Sequence, residues 1–232
     1  MGRTRPGRGA AIGITAGIAS LIATTALALT RDVDSGAPRL SFAALSTRDL
    51  RPPPSVGRPG PEGVPVPDAP ALAPARVLTD GEQIDGISCQ ASEQVLFHIH
   101  AHLTLFVDGT ARQVPAGIGI APPYEVQRTP AGPFVVGATC FMWLHTHAAD
   151  GSIHTESPIK RTYTLGDFFD IWGQALDLEH VGTGNGPVTA LFNGRVYTGN
   201  PRNIPLLAHA QIQLEVGRPL VAPEQITFPD GL

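Results

Sequence analysis

Several things are scarce in this chain, and each scarcity closes a route. Charged residues are only 16% of it, the net charge is -4, and no basic cluster interleaved with aromatics occurs. That excludes nucleic acid as a partner, because phosphate recognition needs a basic stripe or patch. Ser152 and Ser157 stand near histidines, yet neither lies in a G-x-S-x-G elbow, so no serine-hydrolase triad is written here. The run GTGNG at 182–186 precedes no helix and no Lys-Ser/Thr, so it is a turn and not a phosphate loop. Cysteine occurs twice, at Cys89 and Cys140, and neither stands in a lipobox.

The N-terminus sets the expected compartment. Arg3, Arg5 and Arg8 precede an uncharged run from Gly9 to Thr30. A run of this length matches the roughly 20 residues a membrane helix needs. The basic flank places the N-terminus inside and the remainder outside. Residues 1–30 are therefore expected to be a signal anchor, giving a single-pass cell-membrane protein with its C-terminal domain outside the cytoplasm. The alternative is a signal peptide cleaved after Ala26-Leu27-Ala28, giving a secreted protein. In an oxidising compartment Cys89 and Cys140 are expected to form a disulfide. In the chain-entropy model such a loop stabilises by about 4 kcal/mol. Thiolate metal ligation is the other reading of the pair.

Proline then dominates. From Arg51 to Ala75 the chain reads RPPPSVGRPGPEGVPVPDAPALAPA. Residues that cannot donate backbone hydrogen bonds are expected to form an extended spacer, so residues 31–76 are assigned as a disordered linker. The folded domain is expected over 77–232.

Within that domain the histidines are concentrated. Val95 to Val107 reads VLFHIHAHLTLFV, which alternates strictly. Val95, Phe97, Ile99, Ala101, Leu103, Leu105 and Val107 share one face, and His98, His100 and His102 share the other. The period of 2 predicts a strand. Asp108-Gly109 predicts a hairpin turn into residues 111–114. About fifty residues later LHTHAADGSIHTE predicts a second hairpin. A four-residue loop would pair His145 with His154, whereas a two-residue loop would pair His147 with His154. Either register puts His145, His147 and His154 on one face, with Glu156 following, whereas a three-residue loop would pair His147 with Gly151 and split the set. Six of the eight histidines thus fall in two short stretches. Same-face strand residues are about 6.6 Å apart, so one ion takes at most two neighbours of the first row. The trio His145, His147 and His154 is the stronger half, completed from that row. His180 and His209 read as surface or satisfied histidines.

Imidazole-rich sites suit copper, zinc and iron, and copper(II) binds nitrogen donors most tightly in the divalent series. The expected metal residues are His98, His100, His102, His145, His147, His154 and Glu156, with copper the leading ion and zinc or iron the alternatives. His145-x-His147 with a carboxylate loosely resembles the cupin metal motif, but the glutamate and histidine come in the wrong order. The segment TLGDFFDIWGQAL, 164–176, predicts one helix, capped by Thr164 with Asp167 three residues on. Phe168, Phe169, Ile171, Trp172 and Leu176 read as its core face. Asn193-Gly194 predicts a further hairpin, and residues 209–216 alternate as a strand.

HIHAHLTLFVDG, LHTHAADGSIHTESP, TLGDFFDIWG and IPLLAHAQIQLEVG together resemble a family of exported or membrane-anchored prokaryotic proteins, over about 140 residues. The resemblance implies an exported location and brings no established activity. The fold expected is α+β: a mainly antiparallel sheet with one amphipathic helix, a β-sandwich with an inserted helix being the alternative. The function expected is extracytoplasmic metal binding in metal handling or redox. The alternatives are a metal-dependent enzyme, with Glu156 or Asp150 as general base, and a structural envelope module.

Overall fold

The computed structural model describes residues 50–54 and 57–232. The expected anchor or signal at 1–30 and the first part of the expected linker, 31–49, lie outside the described residues. Among the described residues no helix is long and apolar enough to cross a membrane.

The two principal sheets use β1 (Gln83–Ile84), β2 (Ile87–Gln90), β3 (Phe97–Val107), β4 (Thr110–Arg112), β5 (Ile120–Ala121), β6 (Cys140–Met142), β7 (Leu144–His145) and β8 (Ser152–Ser157), then, after the helix α1 (Leu165–Trp172), β9 (Val188–Phe192), β10 (Arg195–Tyr197) and β11 (Ala210–Val216). The larger sheet has seven strands in the order β7-β8-β3-β11-β9-β10, with β4 paired to the end of β3. Within that sheet only the β3–β11 pair runs parallel. The smaller sheet has the order β1-β2-β6-β5. This is the expected α+β class: mostly antiparallel strands and one α-helix among the described residues.

Strand β3 is the spine. Its eleven residues pair with β8 and then β4 on one side, and with β11 on the other. Ala101, Leu103 and Leu105 enter the main core with Ile212, Leu214 and the helix aromatics Phe168, Phe169 and Trp172. The histidine face is also covered: His100, His102, Thr104 and Phe106 are all buried. A central strand paired on both edges and covered on both faces is a setting in which polar side chains must find partners.

The local signals hold up. Asp108-Gly109 and Asn193-Gly194 both have positive φ at both residues, the type I′ geometry that suits two-residue hairpins. Thr164 caps α1 in a full capping box with Asp167. The helix stops at Trp172 rather than running to Leu176, because Gly173 takes the left-handed conformation that ends it (φ 71). Cys89 and Cys140 form the disulfide, tying β2 to β6.

The proline-rich stretch departs from expectation. Leu50–Arg51 pairs in parallel with Leu220–Val221, and from Gly57 to Ala75 the chain lies against the domain, with Val64, Leu72 and Ala73 buried. Proline lacks an N–H but keeps its carbonyl acceptor. Those carbonyls are used: Gln113 Nε2 donates to Pro67 (2.7 Å), Trp172 Nε1 to Pro74 (3.0 Å) and the Gln113 backbone N–H to Pro70 (3.0 Å). The folded unit therefore starts well before Val77.

Candidate metal centre

Antiparallel pairing decides which histidines meet. His145 on β7 lies opposite His154 on β8, the pairing of the four-residue loop. His154 in turn lies opposite His100 on β3, Glu156 opposite His98, and Ser152 opposite His102. One cross-strand row therefore reads His145-His154-His100, and the next carries Glu156 and His98. The two histidine stretches share one face.

Two sets of side chains converge. His98, His100, His154 and Glu156 form one set, and His145, His147, His154 and Glu156 the other. In each set one donor atom per residue lies within 4.8 Å of the others, close enough to hold a metal ion. The Nε2 atoms of His98 and His100 are 3.0 Å apart, and those of His145 and His147 are likewise 3.0 Å apart. His100 Nε2 is 3.1 Å from His154 Nδ1. The His98 end opens to solvent: its side chain is 39% exposed against 5% for Glu156.

The second pair is the more telling one. His145 Nδ1 donates to the Met142 carbonyl at 2.8 Å, and His147 Nδ1 donates to the Val135 carbonyl at 2.6 Å. A carbonyl can only accept, so both Nδ1 atoms carry hydrogen. In the neutral rings both Nε2 atoms are then bare, and they face each other. Burial, together with the neighbouring His154, holds both rings below the ordinary histidine pKa, His145 well below it. Two lone pairs pointed at a common place, each fixed by an outer hydrogen bond, form a bite for a cation. Two nitrogens each about 2.0–2.1 Å from one tetrahedral ion lie about 3.3 Å apart, close to the spacing seen.

No family model, curated protein or solved structure matches this chain. The donor geometry alone informs what the cluster does.

The charges sort in a consistent way. Burial opposes protonation of His154, but its hydrogen bonds to Glu156 and Glu62 outweigh that and push its pKa up to about 9. Burial, then the neighbouring His154 and His98, drive His100 down to about 3. Burial raises the Glu156 carboxyl, yet the hydrogen bond from His154 prevails and leaves it below its ordinary value. One proton thus sits on the central ring, and His100, His145 and His147 keep their lone pairs.

Two carboxylates join that sequence reasoning missed. Glu62 Oε1 accepts from His154 Nε2 at 2.7 Å, and Glu93 Oε1 is 3.3 Å from His147 Nε2. Glu62 sits in the proline-rich stretch, in a turn closed by Gly60 N–H to Val64 O (2.7 Å) with Gly63 at φ 80. A lone glutamate between prolines in a presumed spacer carries no local signal. Glu93 lies five residues ahead of His98, off the alternating strand.

His102, expected in the set, is in neither group. Its Nε2 donates to the Asp150 carbonyl at 2.8 Å, and the Thr104 hydroxyl donates to its Nδ1 at 3.3 Å. Both ring nitrogens are used, and burial holds its pKa down to about 4. It is a satisfied core histidine, cut off from the cluster because its row partner is Ser152. The bland reading of the other two also fits: His180 bonds Asp177, and His209 bonds the Leu232 carbonyl and stacks on Phe228.

Proposed function

We propose that this is an extracytoplasmic metal-binding protein, tethered to the membrane by its N-terminal segment and loaded with copper for metal handling or redox. The observation that carries the reading is the His145–His147 pair, whose bare Nε2 atoms face each other at 3.0 Å with both Nδ1 atoms committed to carbonyls. Five imidazoles and Glu156 make a nitrogen-dominated donor set, which favours copper(II) over the other divalent ions, with zinc and iron as competitors. The disulfide supports an oxidising compartment. The basic residues ahead of the uncharged run 9–30 support tethering.

The test is calorimetric titration of the metal-stripped full-length protein with copper(II) and with zinc(II) at pH 7. Tight, stoichiometric binding that is lost in the His145→Ala, His147→Ala double variant is expected. Absence of such binding, or binding indifferent to that variant, removes the proposal.

One observation favours a second reading, a metal-dependent enzyme. Asp150 is buried beside the cluster, its Oδ2 has no hydrogen-bond partner, and burial and then Glu62 push its carboxyl up to about 7. It lines a cavity of about 250 Å³ with His102 and Arg112. A carboxyl with that pKa suits general-base work near neutrality. Catalysis also needs an open coordination position. Azide added to the copper-loaded protein should then shift its visible spectrum, and an unchanged spectrum leaves a closed binding site.

A further inference from the structure

The donor atoms converge on two places, and the arrangement between them is nearly symmetric. Strand β3 supplies one H-x-H pair, His98 and His100, and β7 with the residues after it supplies another, His145 and His147. Strand β8 runs between them and supplies His154 and Glu156. Each pair has the same 3.0 Å bite between its Nε2 atoms. Neighbouring strands are about 4.8 Å apart, so the backbones carrying the two pairs stand nearly 10 Å from each other. The donors fall into two compact sets rather than one, and the two sets share only the residues of β8.

Glu156 has the form of a bridge. Its Oε1 lies 3.0 Å from His98 Nε2, on the side of the first pair. Its Oε2 is buried and has no hydrogen-bond partner, although the side chain is 95% covered. A buried carboxylate oxygen left alone is costly, and native structures leave few of them. The surrounding charge points the same way. Imidazoles that ligate metal are neutral and bring no charge to offset cations, and one divalent ion would need little beyond Glu156. Glu62 and Glu93 add two more carboxylates around the same rings.

We propose that the cluster binds two divalent first-row metal ions, one on His98 and His100 and one on His145 and His147, bridged by the two oxygens of Glu156. This rests on the metal-binding reading above and extends it to a two-ion centre. Carboxylate-bridged ions of this kind sit about 3.5–4 Å apart, close enough for their unpaired electrons to couple.

Copper(II) tests it on the full-length protein: strip all metal, load with excess copper(II), remove the unbound ion, and count by elemental analysis. Two ions per chain are expected, with an electron paramagnetic resonance signal broadened or silenced by coupling. The His98→Ala, His100→Ala variant should hold one ion with a well-resolved mononuclear signal, and so should the His145→Ala, His147→Ala variant. Glu156→Gln keeps the side-chain shape and should uncouple the spins; it serves if a double variant does not fold. One ion per wild-type chain, or two with an uncoupled spectrum, overturns the bridged pair while leaving metal binding intact. No tight copper binding at all overturns both.

Discussion

The histidine row of β3 carries one residue type on one face and does two different things. His98 and His100 meet Glu156 and His154 across the strand pair, whereas His102 meets Ser152. The first two enter the donor cluster. The third turns both nitrogens to Asp150 and Thr104 and becomes part of the core. What separates them is one step along a register, about 6.6 Å of strand. A histidine in this row can serve as a ligand only where its cross-strand partner supplies a second donor; elsewhere burial forces it to be satisfied within the protein.

That contrast can be broken most directly through metal affinity. His154→Ala should weaken copper binding by well over the roughly 100-fold that loss of an outer-shell partner costs. His102→Ala should leave affinity within a few-fold. Competition against a chelator of known strength measures both, and equal losses would erase the distinction.

Acid sharpens the same comparison. In the metal-free protein the unfolded chain binds a proton at His102 near the ordinary pKa, and the folded chain binds it only near 4. The folded pKa is depressed, so stability falls as pH drops from about 6.5 towards 4, by about 3 kcal/mol for this one buried ring. His154 is the opposite case. Its folded pKa is raised to about 9, so its contribution is complete below the unfolded pKa near 6.5 and disappears as pH rises through 9. Imidazole proton shifts followed by NMR should find His154 charged and His102 neutral throughout pH 6 to 8. Metal binding at pH 7 should accordingly release about one proton from His154, read from calorimetry in buffers of different ionisation enthalpy.

Stability in urea provides the third contrast. His102→Ala leaves the Asp150 carbonyl and the Thr104 hydroxyl without their partner and opens a cavity, and should cost the metal-free protein about 2–3 kcal/mol. His98→Ala, at the exposed end, should cost under about 1 kcal/mol.

A smaller loss of affinity than at His154 is expected at Glu62. Glu62→Gln keeps the shape of the turn but removes the charge that holds His154 Nε2, and should weaken metal binding by about tenfold. An unchanged affinity would reduce Glu62 to a packing role.

Much of the scaffold was legible in the residues themselves. The alternation of β3, the Asp108-Gly109 and Asn193-Gly194 turns, the capping box at Thr164 and the separation of the histidines from the apolar face depend on neighbours within a few positions. Such features are settled by local sterics and by the strand or helix period. Length was less legible: Gly173 ended the helix before Leu176, because a left-handed cap overrode a continuing apolar pattern. The partners of the cluster were legible only in part. His145 and His154 lie on one hairpin whose loop allowed more than one register, and only the folded chain selects the four-residue one.

By itself, then, the sequence determined the strand, its two faces and the donor types set along them. Tertiary structure decided the rest. It laid β8 against β3 in the register that joins His154 to His100 and leaves His102 aside. It folded a proline-rich stretch back so that Glu62 reaches His154, using proline carbonyls as acceptors. It also turned the Nδ1 atoms of His145 and His147 onto the carbonyls of Met142 and Val135. The physical reason is range: a period-2 pattern is written by adjacent residues, whereas register between segments fifty residues apart follows from burial and hydrogen bonding of the whole domain.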